Sequence, residues 1–317
     1  MLQVAFATDK NCVEPACVAI HSMLRHRKGP TKVIVLGVEL TSEHLTAIQR
    51  TVATFPDAVL DIRAFELPSE CVGAMAGHVT ATSFARLFLP EWYEGRVIYL
   101  DIDTVTQRDV VELWEFDLDG HAVAAALDLS LQMSIFLQEY PQAKTRDRLR
   151  ATEQLKKQSA VLPNQDLKNY FNAGVLVLDC DRLKENDTLY SALKDIRVAR
   201  TYPLLDQDHL NSLLPQGAPV VPANWNRFVG NIKERVLLPY LRSIDQAGPA
   251  GLLHFCGPVK PWHAWRNWRV KCGPANMLKW RIARMRWRRD LKRGQDLSLS
   301  TPCAANGSDR LSSGTVF

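Results

Sequence analysis

Three short runs constrain the fold of this chain more than any other feature. Residues 96–100 (RVIYL), 122–127 (AVAAAL) and 174–178 (GVLVL) are almost wholly apolar. A strand with one wet face alternates apolar and polar side chains, so an unbroken apolar run is the pattern of a strand covered on both faces. Segments 2–7, 32–38 and 59–65 also read as strands. Between them lie stretches with helical spacing. Segment 14–27 carries Val18, Met23 and Leu24, and a second helix, N-capped by Thr41 or Ser42, carries Leu45, Ile48, Val52 and Phe55. Segment 82–89 reads as a helix closed by Pro90. This alternation predicts an α/β domain with a mostly parallel central sheet. Residues 131–162 are polar, charged and helix-permissive, and read as an insertion between two strands.

A hydrophobic fraction of 46% and a charged fraction of 23% over 317 residues exclude a disordered chain. The net charge of +5 is uneven. Segment 279–293 holds eight Lys/Arg and one Asp, so its +7 leaves −2 for everything else. Seven cysteines without a CxxC pair suit neither a disulfide framework nor a four-Cys zinc site, and point to a reducing compartment. No stretch approaches the ~20 apolar residues of a membrane span, and the first residues carry no signal-peptide pattern. The expected location is cytoplasmic, with any membrane contact made from the surface.

In open α/β sheets, ligands bind beyond the carboxyl ends of the strands. Four predicted strand ends carry reactive groups: Asp9 and Asn11, Asp101 and Asp103, Asp179 and Asp181, and His254. Two carboxylates two residues apart where a strand leaves the sheet can approach one hard divalent cation and leave positions free for phosphates. The chain has four such DxD pairs, at 101/103, 117/119, 179/181 and 206/208. Strand context retains 101/103 and 179/181, and periodicity does not separate them. His254 could complete an Asp/Asp/His site. In the same stretch Gly257 permits close backbone approach to a phosphate, and Lys260 offers a point charge.

The blocks VAFATDKN (4–11), TSFARLFLP (82–90), VIYLDIDT (97–104), YFNAGVLVLD (170–179), DQDHLN (206–211) and HFCGPVKPWH (254–263) resemble, in order, those of glycosyltransferase family 8. This is the retaining family that includes glycogenin and bacterial lipopolysaccharide galactosyl- and glucosyltransferases. The resemblance implies a GT-A fold over residues 1–263 and transfer of galactose or glucose from a UDP-hexose to a saccharide. The lipopolysaccharide or lipooligosaccharide core is the expected, lipid-linked acceptor. It implies Asp101, Asp103 and His254 as ligands of Mn²⁺, with Mg²⁺ as a substitute, and makes Asp179 and Asp181 a structural strand end. Asp9 and Asn11 match positions holding uracil and ribose. Arg86 matches an arginine near the diphosphate and donor sugar, and His78 a further pocket position. Asp128 and Asn172 match groups bonding the donor hexose, and Asp206 and Gln207 the pair beside the anomeric carbon. Gly257 and Lys260 match the groups holding the β-phosphate. Cys12 departs from the pattern: close relatives carry there a Tyr that stacks on the base. Because Gln207 is a poor nucleophile, front-face attack is favoured over double displacement, with Asp206 the alternative carboxylate.

The end of the chain has its own character. Residues 264–293 are rich in Trp and Arg, and drawn as a helix place Met277, Trp280, Trp287 and Leu291 on one face, interrupted by Arg284. Tryptophan beside arginine suits the headgroup level of an anionic membrane. The segment is therefore expected to bind the inner face of the cytoplasmic membrane, with no nucleic-acid partner expected. Residues 294–317 lack periodicity and are expected to form a disordered tail. Two other readings are a protein- or self-glycosylating transferase and a non-catalytic membrane-binding relative.

Overall fold

The computed structural model describes residues 1–66, 81–230, 234–263 and 274–300. The elements that bear on the site are strands β1 (Leu2–Asp9), β2 (Thr31–Val38), β3 (Ala58–Ala64), β4 (Arg96–Leu100), β5 (Thr104–Thr106), β6 (Val123–Leu127), β7 (Phe171–Asp179), β8 (Arg227–Phe228) and β9 (Leu252–His254). With them stand helices α1 (Val13–His26), α2 (Ser42–Ala53), α3 (Leu129–Glu139), α4 (Thr145–Val161), α5 (Asp206–Leu213) and α6 (Pro274–Ser300). The central sheet has the order β3-β2-β1-β4-β7-β6. Strands β1 to β4 are mutually parallel, and β7 runs antiparallel to both β4 and β6. The sheet is thus mostly parallel, with one reversed strand.

The apolar runs behave as their composition requires. Val97, Ile98, Tyr99 and Leu100 are buried, as are all residues of β7 except Asp179. One face of the sheet packs on α1 and the other on the segment around Phe84 to Leu89. The Thr41 hydroxyl accepts from the His44 amide while the His44 ring accepts from the Thr41 amide, a reciprocal cap that starts α2. The segment expected as a helix over 82–89 is a 3-10 helix at Ala81–Phe88. Residues 131–162 fall within α3, α4 and their connection, an antiparallel-neighbour pair beside the sheet.

Reversal of β7 separates the two DxD pairs. Leu100 lies opposite Val175, and Arg96 lies opposite Asp179. The start of β7 therefore joins the carboxyl ends of β1 and β4, while Asp179 sits at the opposite ends of the strands, accepting from the Arg182 amide. Asp181 is beside it, accepting from the Gly95 amide. Neither can reach Asp101.

The C-terminal helix differs from the sequence expectation. Met277, Trp280, Ala283 and Trp287 are buried in the same core as Val13, Cys17, Ile48 and Val52 of α1 and α2. The two tryptophans are docked against the protein itself, so they do not supply rings for a bilayer. Arg284, which interrupts the apolar face, pairs with Glu14 of α1, and Arg288 reaches the same carboxylate at 3.4 Å. The helix continues past Gly294 to Ser300, so the boundary placed there falls inside it. A helix interior tolerates one glycine at about 1 kcal/mol. Trp287 Nε1 donates to Thr51 Oγ1 at 2.9 Å in a buried position. Trp287→Phe is expected to lower the unfolding free energy by about 1–3 kcal/mol, through the lost bond and lost apolar area. An unchanged urea midpoint would show that the docking is energetically idle. Among the described residues, no helix is long and apolar enough to cross a membrane.

Candidate active site

A cleft of about 370 Å³ opens at the carboxyl ends of β1 and β4, against the start of β7 and the N-terminus of α5. At its floor lie Asp101, Asp103 and His254, each offering one ligand atom, with these atoms within 4.8 Å of one another. Local pairing explains how distant residues meet. Strand β9 runs antiparallel to β5, placing His254 opposite Thr104, one residue beyond Asp103. The Phe255 amide donates to the Asp103 carbonyl at 2.9 Å and locks the two turns together.

His254 Nε2 stands 3.1 Å from Asp103 Oδ1 and 3.6 Å from Asp101 Oδ2. Its Nδ1 meets Asn226 Oδ1 at 2.8 Å, and Asn226 Nδ2 donates to Asn172 Oδ1 at 2.9 Å. With Nδ1–H held by Asn226, Nε2 is the atom turned to the carboxylates, the arrangement by which an outer partner orients a metal-binding imidazole. Two carboxylates and an imidazole in this arrangement could hold one divalent cation. Gly174 leaves the room: a Cβ there would collide with the His254 ring and would stand 2.6 Å from Asp101 Oδ2.

Charge in the floor is balanced among the same side chains. Burial alone would raise the Asp103 pKa, but Lys260 and His254 outweigh it and hold the carboxyl below the usual carboxylate range. Lys260 Nζ pairs with Asp103 Oδ2 and also donates to the Phe255 carbonyl at 3.1 Å. Burial opposes the charge on Lys260, yet Asp103 beside it pushes its pKa up. Burial likewise opposes a charge on His254, and the neighbouring Cys256 and Asp103 reverse this and raise it well above the ordinary value. Gly257, between them on the cleft wall, has φ +93°, a left-handed conformation that glycine adopts without strain.

Arg86 is buried at the centre of a second network. Its Nη2 donates to Asp101 Oδ1 at 2.8 Å, its Nε lies 3.1 Å from Asp206 Oδ2, and Nη1 donates to the Ala173 carbonyl. Its guanidinium stacks 4.3 Å over the Tyr99 ring, and Tyr99 Oη donates to the same Asp101 oxygen at 3.0 Å. Asp206 also accepts from the Ser83 hydroxyl. Its burial outruns the pull of Arg86 and raises its pKa. Leu205, just before it, has φ +47° and ψ −119°, a strained turn costing about 1–3 kcal/mol that swings Asp206 and Gln207 into the cleft.

Gln207 is held at both ends of its amide. Oε1 accepts from Asn172 Nδ2 at 2.7 Å and from the Ala173 amide at 3.2 Å. Nε2 donates to Asp128 Oδ2 at 3.2 Å and Tyr170 Oη at 3.1 Å. Because a backbone N–H only donates, Ala173 fixes which end is which. Asp128 in turn caps α3, accepting from the Ser130 and Leu131 amides at 2.9 and 3.1 Å, and burial raises its pKa. Asp208 faces away from the floor. It accepts from Tyr170 Oη at 2.6 Å, Gln158 Nε2 at 2.7 Å and the Leu204 amide at 2.8 Å.

The cleft thus gathers Asp9, Arg86, Asp101, Asp103, Asp128, Asn172, Asp206, Gln207, His254, Gly257 and Lys260 from separate blocks of sequence. Asn11 is not on the cleft wall. It is exposed in the turn after β1, where its amide donates to Asp9 Oδ1 at 2.8 Å. His78 lies outside the described residues. Cys12 lines the cleft at the start of α1, and burial pushes its thiol up to about 11. Tyr99, Tyr170, Gly174 and Asn226 escaped sequence reasoning. Only Gly174 carried a signal, a glycine inside an otherwise apolar strand, which often marks a close approach of other groups.

The mostly parallel sheet, with an Asp, Asp and His cluster at its strand ends, is the GT-A architecture shared with solved glycosyltransferases. The chain belongs to glycosyl transferase family 8, whose profile matches residues 3–266. A Haemophilus influenzae protein described as a putative glycosyltransferase is 22% identical over 87% of this chain and 77% of its own length. The lipopolysaccharide 1,2-glucosyltransferase of Escherichia coli K12 is 28% identical over 54% of this chain and 45% of its own. Among solved structures, galactosyltransferase LgtC in complex with donor and acceptor sugar analogs aligns with a TM-score of 0.62. That match has 20% identity and covers 91% of this chain and all of LgtC. The bifunctional glycosyltransferase WbbM aligns at 0.66 with 21% identity over 92% of this chain and 51% of WbbM.

Proposed function

We propose that this protein is a metal-dependent, retaining hexosyltransferase that moves galactose or glucose from a UDP-sugar to a saccharide acceptor. The observation that carries this reading is the Asp101, Asp103 and His254 cluster with Lys260 beside it, in a cleft at the strand ends. Breaking a glycosyl–phosphate bond leaves negative charge on the departing nucleotide, and groups aimed at that charge lower the barrier most. A divalent cation at the cluster, Mn²⁺ by preference or Mg²⁺, would supply Lewis-acid stabilisation of the diphosphate. Lys260 and the backbone at Gly257 hold the phosphate nearest the sugar. Asp9 takes the nucleoside end, Asn172 and Asp128 orient the hexose, and Arg86 fixes Asp101 and Asp206 against them.

The held amide of Gln207 supports front-face attack. Both hydrogen bonds to Oε1 come from the protein, so the oxygen is engaged and the group is no free nucleophile. The acceptor hydroxyl then attacks on the side from which the diphosphate leaves and passes its proton to a phosphate oxygen. Retention of the α configuration follows, and proton NMR of the product is expected to show an α linkage. A β linkage would overturn the retaining assignment.

The likeness to lipopolysaccharide glucosyltransferases and to LgtC supports a lipopolysaccharide or lipooligosaccharide core as acceptor. A lipid-linked acceptor places the enzyme at the inner face of the cytoplasmic membrane. The exposed Lys and Arg side chains of α6, rather than its docked tryptophans, are the groups available to an anionic surface. A UDP-release assay over a panel of donors, with and without Mn²⁺, tests the whole reading. Release from UDP-galactose or UDP-glucose that depends on the metal is expected, and no release from any donor would sink it.

A further inference from the structure

A second cavity, of about 160 Å³, lies between α1, β5 and α6 and shares no lining residue with the catalytic cleft. It opens at the opposite end of the β5–β9 ladder from His254, since Thr106 pairs with Leu252 where Thr104 pairs with His254. Three cationic side chains line it, Arg25 from the last turn of α1 and Lys279 and Arg286 from α6, together with the imidazoles of His21 and His26. Thr106, on β5, is buried, and its hydroxyl has no hydrogen-bond partner among the described residues.

The positive charge here is only partly cancelled by the protein. Two carboxylates stand near the cavity: Asp109, which acts on His26, and Asp290, which is already shared. One oxygen accepts from His21 Nε2 at 3.1 Å and meets Arg25 at 3.4 Å, and the other faces Arg289 at 3.0 Å. No described carboxylate pairs with Lys279 or Arg286. The surplus is felt by His26, whose pKa is lowered by burial and by the charges of Arg25 and Arg286, against the opposing pull of Asp109. Lys279 and Arg286 stand seven residues apart, two turns along α6, and the intervening Ala283 is buried. The docking of Met277, Trp280 and Trp287 into the core thus fixes both cations over the end of α1. A cavity with Arg25 of α1 facing Lys279 and Arg286 of α6, its guanidinium groups each able to take two oxygens at once, is fitted to a compact polyanion.

We propose that this cavity is a phosphoryl-binding site, taking a phosphate ester carried either by an anionic lipid headgroup or by a soluble sugar phosphate. The site is separate from the transferase reading and stands or falls without it. One phosphoryl group bridges Arg25 on α1 to Lys279 and Arg286 on α6, so ligand binding staples the C-terminal helix to the body.

The test uses the full chain and two probes. Inorganic phosphate is titrated calorimetrically, and phosphatidylcholine vesicles with and without phosphatidic acid are used for co-sedimentation at low salt. The variants are Lys279→Glu with Arg286→Glu, Arg25→Gln alone, and as control Lys292→Glu with Arg293→Glu, which reverses the same two charges on α6 away from the cavity. Both cavity variants are expected to weaken phosphate binding by roughly tenfold or more, and the control to leave it near wild type. Arg25→Gln keeps the test decisive if the double variant unfolds. Phosphatidic acid-dependent pelleting lost in the cavity variants but kept in the control identifies the lipid source. Pelleting equal in all proteins, with phosphate binding still lost in the cavity variants, identifies a soluble ester. The proposal is overturned if phosphate does not bind wild type, or if the control loses it as much as the cavity variants. UDP release measured on every variant should be unchanged, which separates failure of this site from failure of the catalytic assignment.

Discussion

Asp103→Asn is expected to lower metal-dependent turnover by roughly 10²–10³-fold, the loss typical when a group stabilising developing charge is removed. The carboxylate touches both His254 and Lys260, so one substitution removes a ligand and uncouples the lysine from the floor. Some stability should go with it. Lys260 and His254 hold Asp103 below the ordinary carboxylate range, so its contribution is present at neutral pH and lost only as the solution falls well into acid. The asparagine gives up that contribution at neutral pH too, leaving Lys260 without its carboxylate. Turnover should therefore be measured well below the melting temperature, alongside bound Mn²⁺ by electron paramagnetic resonance. Wild-type rates with unchanged Mn²⁺ binding would remove Asp103 from the metal site.

Gly174→Ala is expected to lower turnover by about 10²-fold, the cost of an ångström-scale misplacement of reacting groups. The added methyl has nowhere to go. It meets the His254 ring and the Asp101 carboxylate, and Asn172 Oδ1 lies 3.0 Å away. All three are held by further bonds, His254 by Asn226, Asp101 by Arg86 and Tyr99, and Asn172 by Gln207 and Asn226. The strand itself should survive, because alanine suits extended backbone better than glycine does. The discriminating measurements are Mn²⁺ affinity and thermal stability together. A weaker site together with a loss of about 1–3 kcal/mol, the cost of overpacking a filled interior, is the expected outcome. Full activity would mean the cluster is looser than its bonds imply.

Much of the site was legible because its chemistry is local. Asp101 and Asp103 flank a strand end two residues apart, and Gly257 and Lys260 follow His254 within one turn-rich stretch. Family blocks then joined these pieces. What sequence reading missed are groups with no chemistry of their own that hold others in place. Tyr170 is an aromatic at a strand start until its hydroxyl is seen between Gln207 and Asp208. Asn226 is one of two asparagines flanking Trp225 until it is found under His254.

The C-terminal helix marks a different limit. Its apolar stripe was correctly drawn, but an apolar stripe reports only that area will leave water, not what will cover it, because the hydrophobic effect is non-directional. A bilayer and the flank of α1 satisfy the same pattern. The tertiary structure chose the second, and Glu14 opposite Arg284 gives the interrupting charge a partner that a lipid face would not supply. The two DxD pairs were decided in the same way. Sequence established that runs 96–100 and 174–178 are buried strands, since only a strand covered on both faces lacks polar alternation. It did not establish their direction, because an apolar run reads alike forwards and backwards. The antiparallel register of β7 against β4 puts Asn172 to Gly174 at the cleft and Asp179 at the opposite strand ends, and strand pairing is a property of the whole sheet rather than of any one segment.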